Sequence, residues 1–240
     1  MTRILSTSFN LDRINDEQPD CAAGTWNYVD YRPLEGFVFA LTPFNFASIA
    51  GNLPTAPALM GNTVVWKPAS SAMLPAYYIM KILEEAGLPP GVLNVIQGYG
   101  AEAGTPLVTS PDVDVISFTG STAVGRRIAS IAGERLAKVS LELGGKNPLV
   151  VCDDADLESA AKWTLLSAFS NAGQRCASGS RIIVFDSVYD RFKGMLVERT
   201  KQLKVGPDNA DDLGPVINEK QLANMIDAIQ AAQQRGAVVL

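Results

Sequence analysis

No charged residue occurs between Gly36 and Trp66. An uncharged run of that length leaves two outcomes, a helix across a bilayer or backbone buried inside a protein core. Pro43, Pro54 and Pro57, with Asn45, Asn52 and Asn62, interrupt the run. A lipid-facing helix accommodates such breaks and amides poorly. The run therefore reads as buried strand, helix and strand, with "FVFAL" (37–41) first and "NTVVWKP" (62–68) last, stopped by Pro68. No membrane segment is expected, and "MTRILSTSFNLDR" at the N-terminus has no continuous apolar stretch of the secretory kind.

Further β-rich runs follow: "VLNVIQG" (92–98), "VDVISFTG" (113–120) and "KVSLELGG" (138–145). Between them "LPAYYIMKILEEAG" (74–87) has apolar residues at helical spacing and ends at Gly87, with Pro89 beyond. "STAVGRRIASIAGERLA" (121–137) is a second helix, weakened by Gly125 and Gly133. Strands alternating with helices of this length predict an α/β fold, a doubly wound, Rossmann-like parallel sheet over residues 33–143 suited to a dinucleotide. A second α/β domain is expected over 144–240. It has strand "NPLVVCD", a helix from Asp156 to Ala172, strand "SRIIVF" and helices near 187–203 and 218–235. The closing "GAVVL" reads as a strand beginning, so this domain is expected to be incomplete. Residues 1–32 are polar and irregular, with no fold assigned.

The net charge of −5 argues against a nucleic-acid-binding surface. Cys21, Cys152 and Cys176 are widely spaced without a CxxC, which suits a reducing compartment, and the cytoplasm is expected. With no histidine in the chain, a zinc site is not expected.

The missing imidazole sharpens the question of chemistry. Cys176 lies in "NAGQRCASGS" (171–180), among small and polar residues. It is either a nucleophile or, as free cysteines commonly are, a buried small hydrophobe. Cys152, following "LVV" on a strand, takes the second reading, and Cys21 receives no role. In "SLELGGKNP" (140–148) Glu142 ends a strand before Gly144-Gly145. Strand ends are where open α/β sheets hold ligands. Half desolvated there, the carboxylate would serve as a general base; otherwise it is an edge carboxylate paired with Lys146. Asn45 in "LTPFNFA" (41–47) offers N–H donors to an oxyanion, or else satisfies turn backbone. Lys67 in "WKPASS" (66–71) and Gly120 in "FTGSTAVG" (118–125) end two strands at one sheet edge. "GSTAVG" has P-loop glycine spacing but continues Arg126-Arg127, so a nucleotide-hydrolase motif fails. Small residues opening a helix still suit a phosphate.

Together, "TPFNF", "WKPA", "FTGSTAVG", "LELGGKNP" and "NAGQRCASGSR" resemble, in order and approximate spacing, the aldehyde dehydrogenase superfamily. The resemblance runs from about Tyr31 to the end and covers the middle of a family member. The family's "E-x-F-G-P" stretch has no counterpart here.

The resemblance implies that Cys176 is the nucleophile, Glu142 the general base and Asn45 the oxyanion-hole amide. It implies that Lys67 bonds the adenosine ribose and that Gly120, Ser121 and Val124 face the pyrophosphate and adenine. Pro43, Phe44 and Leu143 would line the cofactor, NAD or NADP. Many NAD-preferring relatives have an acid where Ser70 stands, and a serine does not repel a 2′-phosphate. "YRPLEGFVFALTPFNF" and "GNLPTAPALMGNTVVWKP" look most like the 1-pyrroline-5-carboxylate (glutamate semialdehyde) dehydrogenase branch, whereas "NAGQRCASGSR" looks more like the general or semialdehyde branches. Glu142 favours an acid product over a CoA thioester. The expected function is oxidation of an aldehyde or semialdehyde, with a small-molecule aldehyde as partner and a homo-oligomer as the full-length form. The alternative is a truncated or inactive relative that binds dinucleotide without catalysis.

Overall fold

The computed structural model describes residues 23–24 and 32–240. The segment expected to be irregular, 1–32 with Cys21, falls almost wholly outside them. The described chain forms two units that meet in sequence between Leu143 and Gly144.

In the first unit the charge-free run forms strand β1 (Phe37–Thr42), helix α1 (Ala47–Leu59) and the opening of β2 (Val64–Pro68). Then come α2 (Met73–Glu85), β3 (Leu93–Val95), the short α3 (Thr105–Thr109), β4 (Val113–Gly120), α4 (Thr122–Glu134) and β5 (Lys138–Leu143). All five strands are parallel, in the order β3-β2-β1-β4-β5. From β1 the chain winds outward through β2 and β3, then returns to the other side of β1 for β4 and β5.

Alternation along the strands divides the core by face. Val38, Ala40, Val64 and Trp66 pack with Ala50 of α1 and Ala76 of α2. Phe39, Ile116 and Phe118 pack with Val108 of α3 and with Ile128 and Ala132 of α4. Helices thus cover both faces, which explains why the strands read as nearly continuous apolar runs. The expected strand over 92–98 keeps only its first half. Residues 100–109, which sequence periodicity passes over, form a five-residue π turn running into α3.

The second unit is a β-α-β unit with two further helices. Strand β6 (Asn147–Val151), α5 (Leu157–Phe169) and β7 (Gly179–Val184) lead into α6 (Asp186–Thr200) and α7 (Glu219–Gln234). The strands are parallel, and Val151, Leu157, Ala161 and Phe192 form the core. Two expectations are corrected. The helix predicted through Ala172 ends at Phe169, because Asn171 and Ala172 take left-handed φ of 57° and 54°. "GAVVL" forms no strand; residues 237–240 pair with nothing in this unit's two-stranded sheet. Among the described residues no helix is long and apolar enough to cross a membrane.

Candidate functional site

Four loops leave the carboxyl ends of β1, β2, β4 and β5, and the register aligns those ends. Leu41 is paired with both Lys67 and Phe118, Thr119 with Glu142 and Gly120 with Leu143. Open parallel sheets bind ligands outside this edge where strand order reverses, here between β1 and β4. Pro43, Phe44, Asn45, Lys67, Ser70, Gly120, Ser121, Val124, Glu142 and Leu143 all lie on these strand ends or in the turns and helix starts beyond them.

Lys67 is the most unusual of these residues. Its position on an interior strand leaves it only 4% exposed despite its charge. Its Nζ donates to the Pro68 carbonyl at 3.0 Å, and a Cβ added at Gly104 would lie 3.6 Å from its Cδ. Burial lowers the Lys67 pKa below the ordinary lysine value, since desolvation disfavours the ammonium. Alongside it, the buried Trp66 donates Nε1–H to Thr42 Oγ1 at 2.8 Å, joining the ends of β1 and β2. Ser70 donates its hydroxyl to the Gly98 carbonyl at 3.2 Å.

Across the switch point, Ser121 caps α4, its Oγ accepting from the Val124 N–H at 3.4 Å. The remaining N–H groups of that first turn carry partial positive charge, and Val124 is exposed beside them. Gly120 is required, because a Cβ there would lie 2.5 Å from Cζ of Phe118. Gly125, which weakens the helical pattern in the sequence, has a packing reason: its Cβ would lie 2.5 Å from Cδ2 of Leu143. Without one, α4 lies directly against the end of β5.

Asn45, Pro43 and Phe44 are half-buried in the turn between β1 and α1. Glu142 is exposed, so its expected half-desolvation is corrected. The physical reason is its place on an edge strand, where Lys138 and Ser140 on the same strand face are exposed too.

In the second unit, α5 runs into a turn in which Asn171, Ala172 and Gly173 all have positive φ. The loop that follows holds Cys176. Its exposure excludes the buried-hydrophobe reading, whereas Cys152 is half-buried just past β6. Asn147, at the start of β6, donates Nδ2–H to two carbonyls of this loop, Cys176 at 2.6 Å and Ser178 at 3.0 Å. Ser178 is buried, its N–H bonded to the Arg175 carbonyl at 3.2 Å and its hydroxyl to that of Gly173 at 3.3 Å. The Gly179 N–H donates to Ser167 Oγ at 3.0 Å. Arg181 Nε–H donates to the Lys146 carbonyl at 3.0 Å. Sequence reasoning passed over Asn147 and Thr42. The signal for Asn147 was an amide directly after the Gly-Gly-Lys turn.

The model of the aldehyde dehydrogenase family matches residues 6–240. A mitochondrial aldehyde dehydrogenase of Leishmania tarentolae is 42% identical over 95% of this chain and 47% of its own. Among solved structures, the Δ-pyrroline-5-carboxylate dehydrogenase of Mycobacterium tuberculosis superposes with a TM-score of 0.87 at 39% identity, over 95% of this chain and 44% of its own. The betaine aldehyde dehydrogenase of Staphylococcus aureus, solved with NAD+, superposes with a TM-score of 0.80 at 34% identity, over 85% of this chain and 41% of its own. The chain spans less than half the length of each of these relatives.

Proposed function

We propose, since this chain belongs to the aldehyde dehydrogenase family, that it supplies the dinucleotide site and the nucleophile of an NAD- or NADP-dependent aldehyde oxidation. The observation that carries this reading is the gathering of Lys67, Gly120, Ser121 and Val124 at one sheet edge, on both sides of the strand-order reversal.

These residues fit a dinucleotide. The buried ammonium of Lys67 suits a ribose hydroxyl. The first turn of α4 suits a pyrophosphate, and backbone at Gly120 can approach it without a side chain. Pro43, Phe44 and Leu143 would line the rest. Ser70 carries no charge to repel a 2′-phosphate, so the reading covers both dinucleotides, and the Staphylococcus relative solved with NAD+ supports the first. When bound, the oxidised nicotinamide supplies the hydride acceptor.

The chain's own residues take the other roles. The Cys176 thiolate attacks the aldehyde carbon. The Asn45 amide and the Cys176 backbone N–H hold the oxyanion. Oxidation leaves a thioester on Cys176, and Glu142 takes a proton from the water that hydrolyses it. No imidazole is needed in this division of labour, which answers the absence of histidine.

Within this class, glutamate semialdehyde, in equilibrium with 1-pyrroline-5-carboxylate, is the substrate proposed. The Mycobacterium relative and the sequence around "TPFNF" and "WKP" support it. The cytoplasmic location expected from cysteine usage stays a proposal, since the Leishmania relative is named mitochondrial.

The test is appearance of reduced nicotinamide on mixing protein, dinucleotide and aldehyde, with glutamate semialdehyde against betaine aldehyde. Aldehyde-dependent reduction, abolished in Cys176→Ser, supports the reading. Dinucleotide binding with no reduction favours the binding-only alternative.

A further inference from the structure

We infer that Asn147 is a positioning residue for the nucleophile, an amide clasp that fixes the backbone on which the Cys176 thiol is carried. The inference rests on the reading of Cys176 as nucleophile. It adds a residue to which neither the sequence motifs nor that mechanism gives a part.

The geometry is specific. One amide nitrogen reaches two carbonyls two residues apart, Cys176 at 2.6 Å and Ser178 at 3.0 Å. An amide NH2 has two hydrogens, so each carbonyl can receive its own. A carbonyl three residues before a strand begins to pair would otherwise turn toward water. Here it is drawn toward the start of β6 instead, and with the Ser178 carbonyl held by the same amide the Cys176–Ala177 and Ser178–Gly179 peptide planes are both set. Each partner of the clasp is anchored separately. Arg181 holds Lys146, the residue just before Asn147, through its carbonyl. Ser178 is buried and bonded to Arg175 and Gly173. What remains adjustable between these anchors is the Cys176 peptide, and Asn147 fixes it.

A thiol that must attack one carbon along one line is sensitive to such fixing. Misplacement of a reacting group by about 1 Å can cost on the order of 100-fold in rate. Reaction with a small, freely diffusing electrophile has no such requirement, because Cys176 is exposed and any approach suffices. The two reactions therefore separate positioning from simple integrity of the loop.

The experiment compares wild type, Asn147→Ala and Asn147→Asp in two assays. Asp has the shape of Asn but no N–H to donate. The first assay is steady-state aldehyde oxidation, giving kcat and the dinucleotide KM. The second is the rate of iodoacetamide labelling at Cys176, read by mass spectrometry of its peptide. The expected result is a kcat lowered about tenfold or more in both variants, Asp no better than Ala. The dinucleotide KM and the labelling rate should stay within about twofold of wild type. Unchanged kcat overturns the inference. So does a labelling rate that falls in parallel with kcat, since that marks collapse of the loop. If Asn147→Ala does not fold, Asn147→Gln gives the same comparison, because its amide is displaced by one methylene. Cys176→Ser is run beside them. If that variant keeps full turnover, the nucleophile reading itself has failed, a result separate from any effect of Asn147.

Discussion

Lys67 brings a cation into a nearly dry strand end, and that placement has a cost separable from its use. With its pKa lowered by burial, the native protein holds the Lys67 proton less tightly than the unfolded chain does. The penalty is full below the lowered value and fades as pH rises from it toward the ordinary lysine range. Lys67→Met, similar in length and apolar, should therefore melt at the same temperature as wild type or higher at pH 7. Its advantage should shrink in alkaline buffer, as calorimetry across pH will show. Its dinucleotide affinity should fall about tenfold or more, since a charge-assisted bond is lost. Asn45 is used differently: a donor to an oxyanion matters only as charge develops on oxygen. Asn45→Ala in the complete enzyme should slow turnover ~100-fold or more, and near-normal kcat would remove that assignment.

Elements show where local sequence and fold part company. The turn after α5 holds Ala172 at φ 54°, a conformation that costs an L-residue about 1–2 kcal/mol. Ala172→Gly should leave stability to urea unchanged or raise it. Ala228→Gly, at an exposed position in the middle of α7, should lower it by about 0.5–1 kcal/mol. That turn also explains an error of reading. Apolar spacing continues through Ala172, and in "SNAG" only Asn171 and Gly173, the residue types that tolerate positive φ, hint at a left-handed run. The strands were legible because burial on both faces writes itself as uninterrupted Val, Ile, Leu and Phe. The strand-end residues were legible because a parallel sheet turns strand boundaries into ligand positions. The exposure of Glu142 was not, since edge position depends on strand order, which no local window contains. Asn147 stayed hidden for a related reason, its partners lying 29 and 31 positions further along the chain.

At the scale of the molecule, the described chain has separate cores on the two sides of residue 143. Two melting transitions are therefore expected. Dinucleotide at about a hundred times its dissociation constant should stabilise the first unit by about 2.7 kcal/mol and move its transition alone, because the residues proposed to bind it precede Gly144. Equal displacement of both transitions in differential scanning calorimetry would overturn that division. Trp66 makes the measurement readable by light. It has no exposed surface, and its ring nitrogen is bonded to Thr42 beside the proposed ribose position, whereas Trp163 is 57% exposed on α5. In a Trp26→Phe background, which leaves Trp66 and Trp163 as the two tryptophans, iodide should extinguish the emission of Trp163 and spare that of Trp66, a fluorescent gauge of occupancy one residue from Lys67.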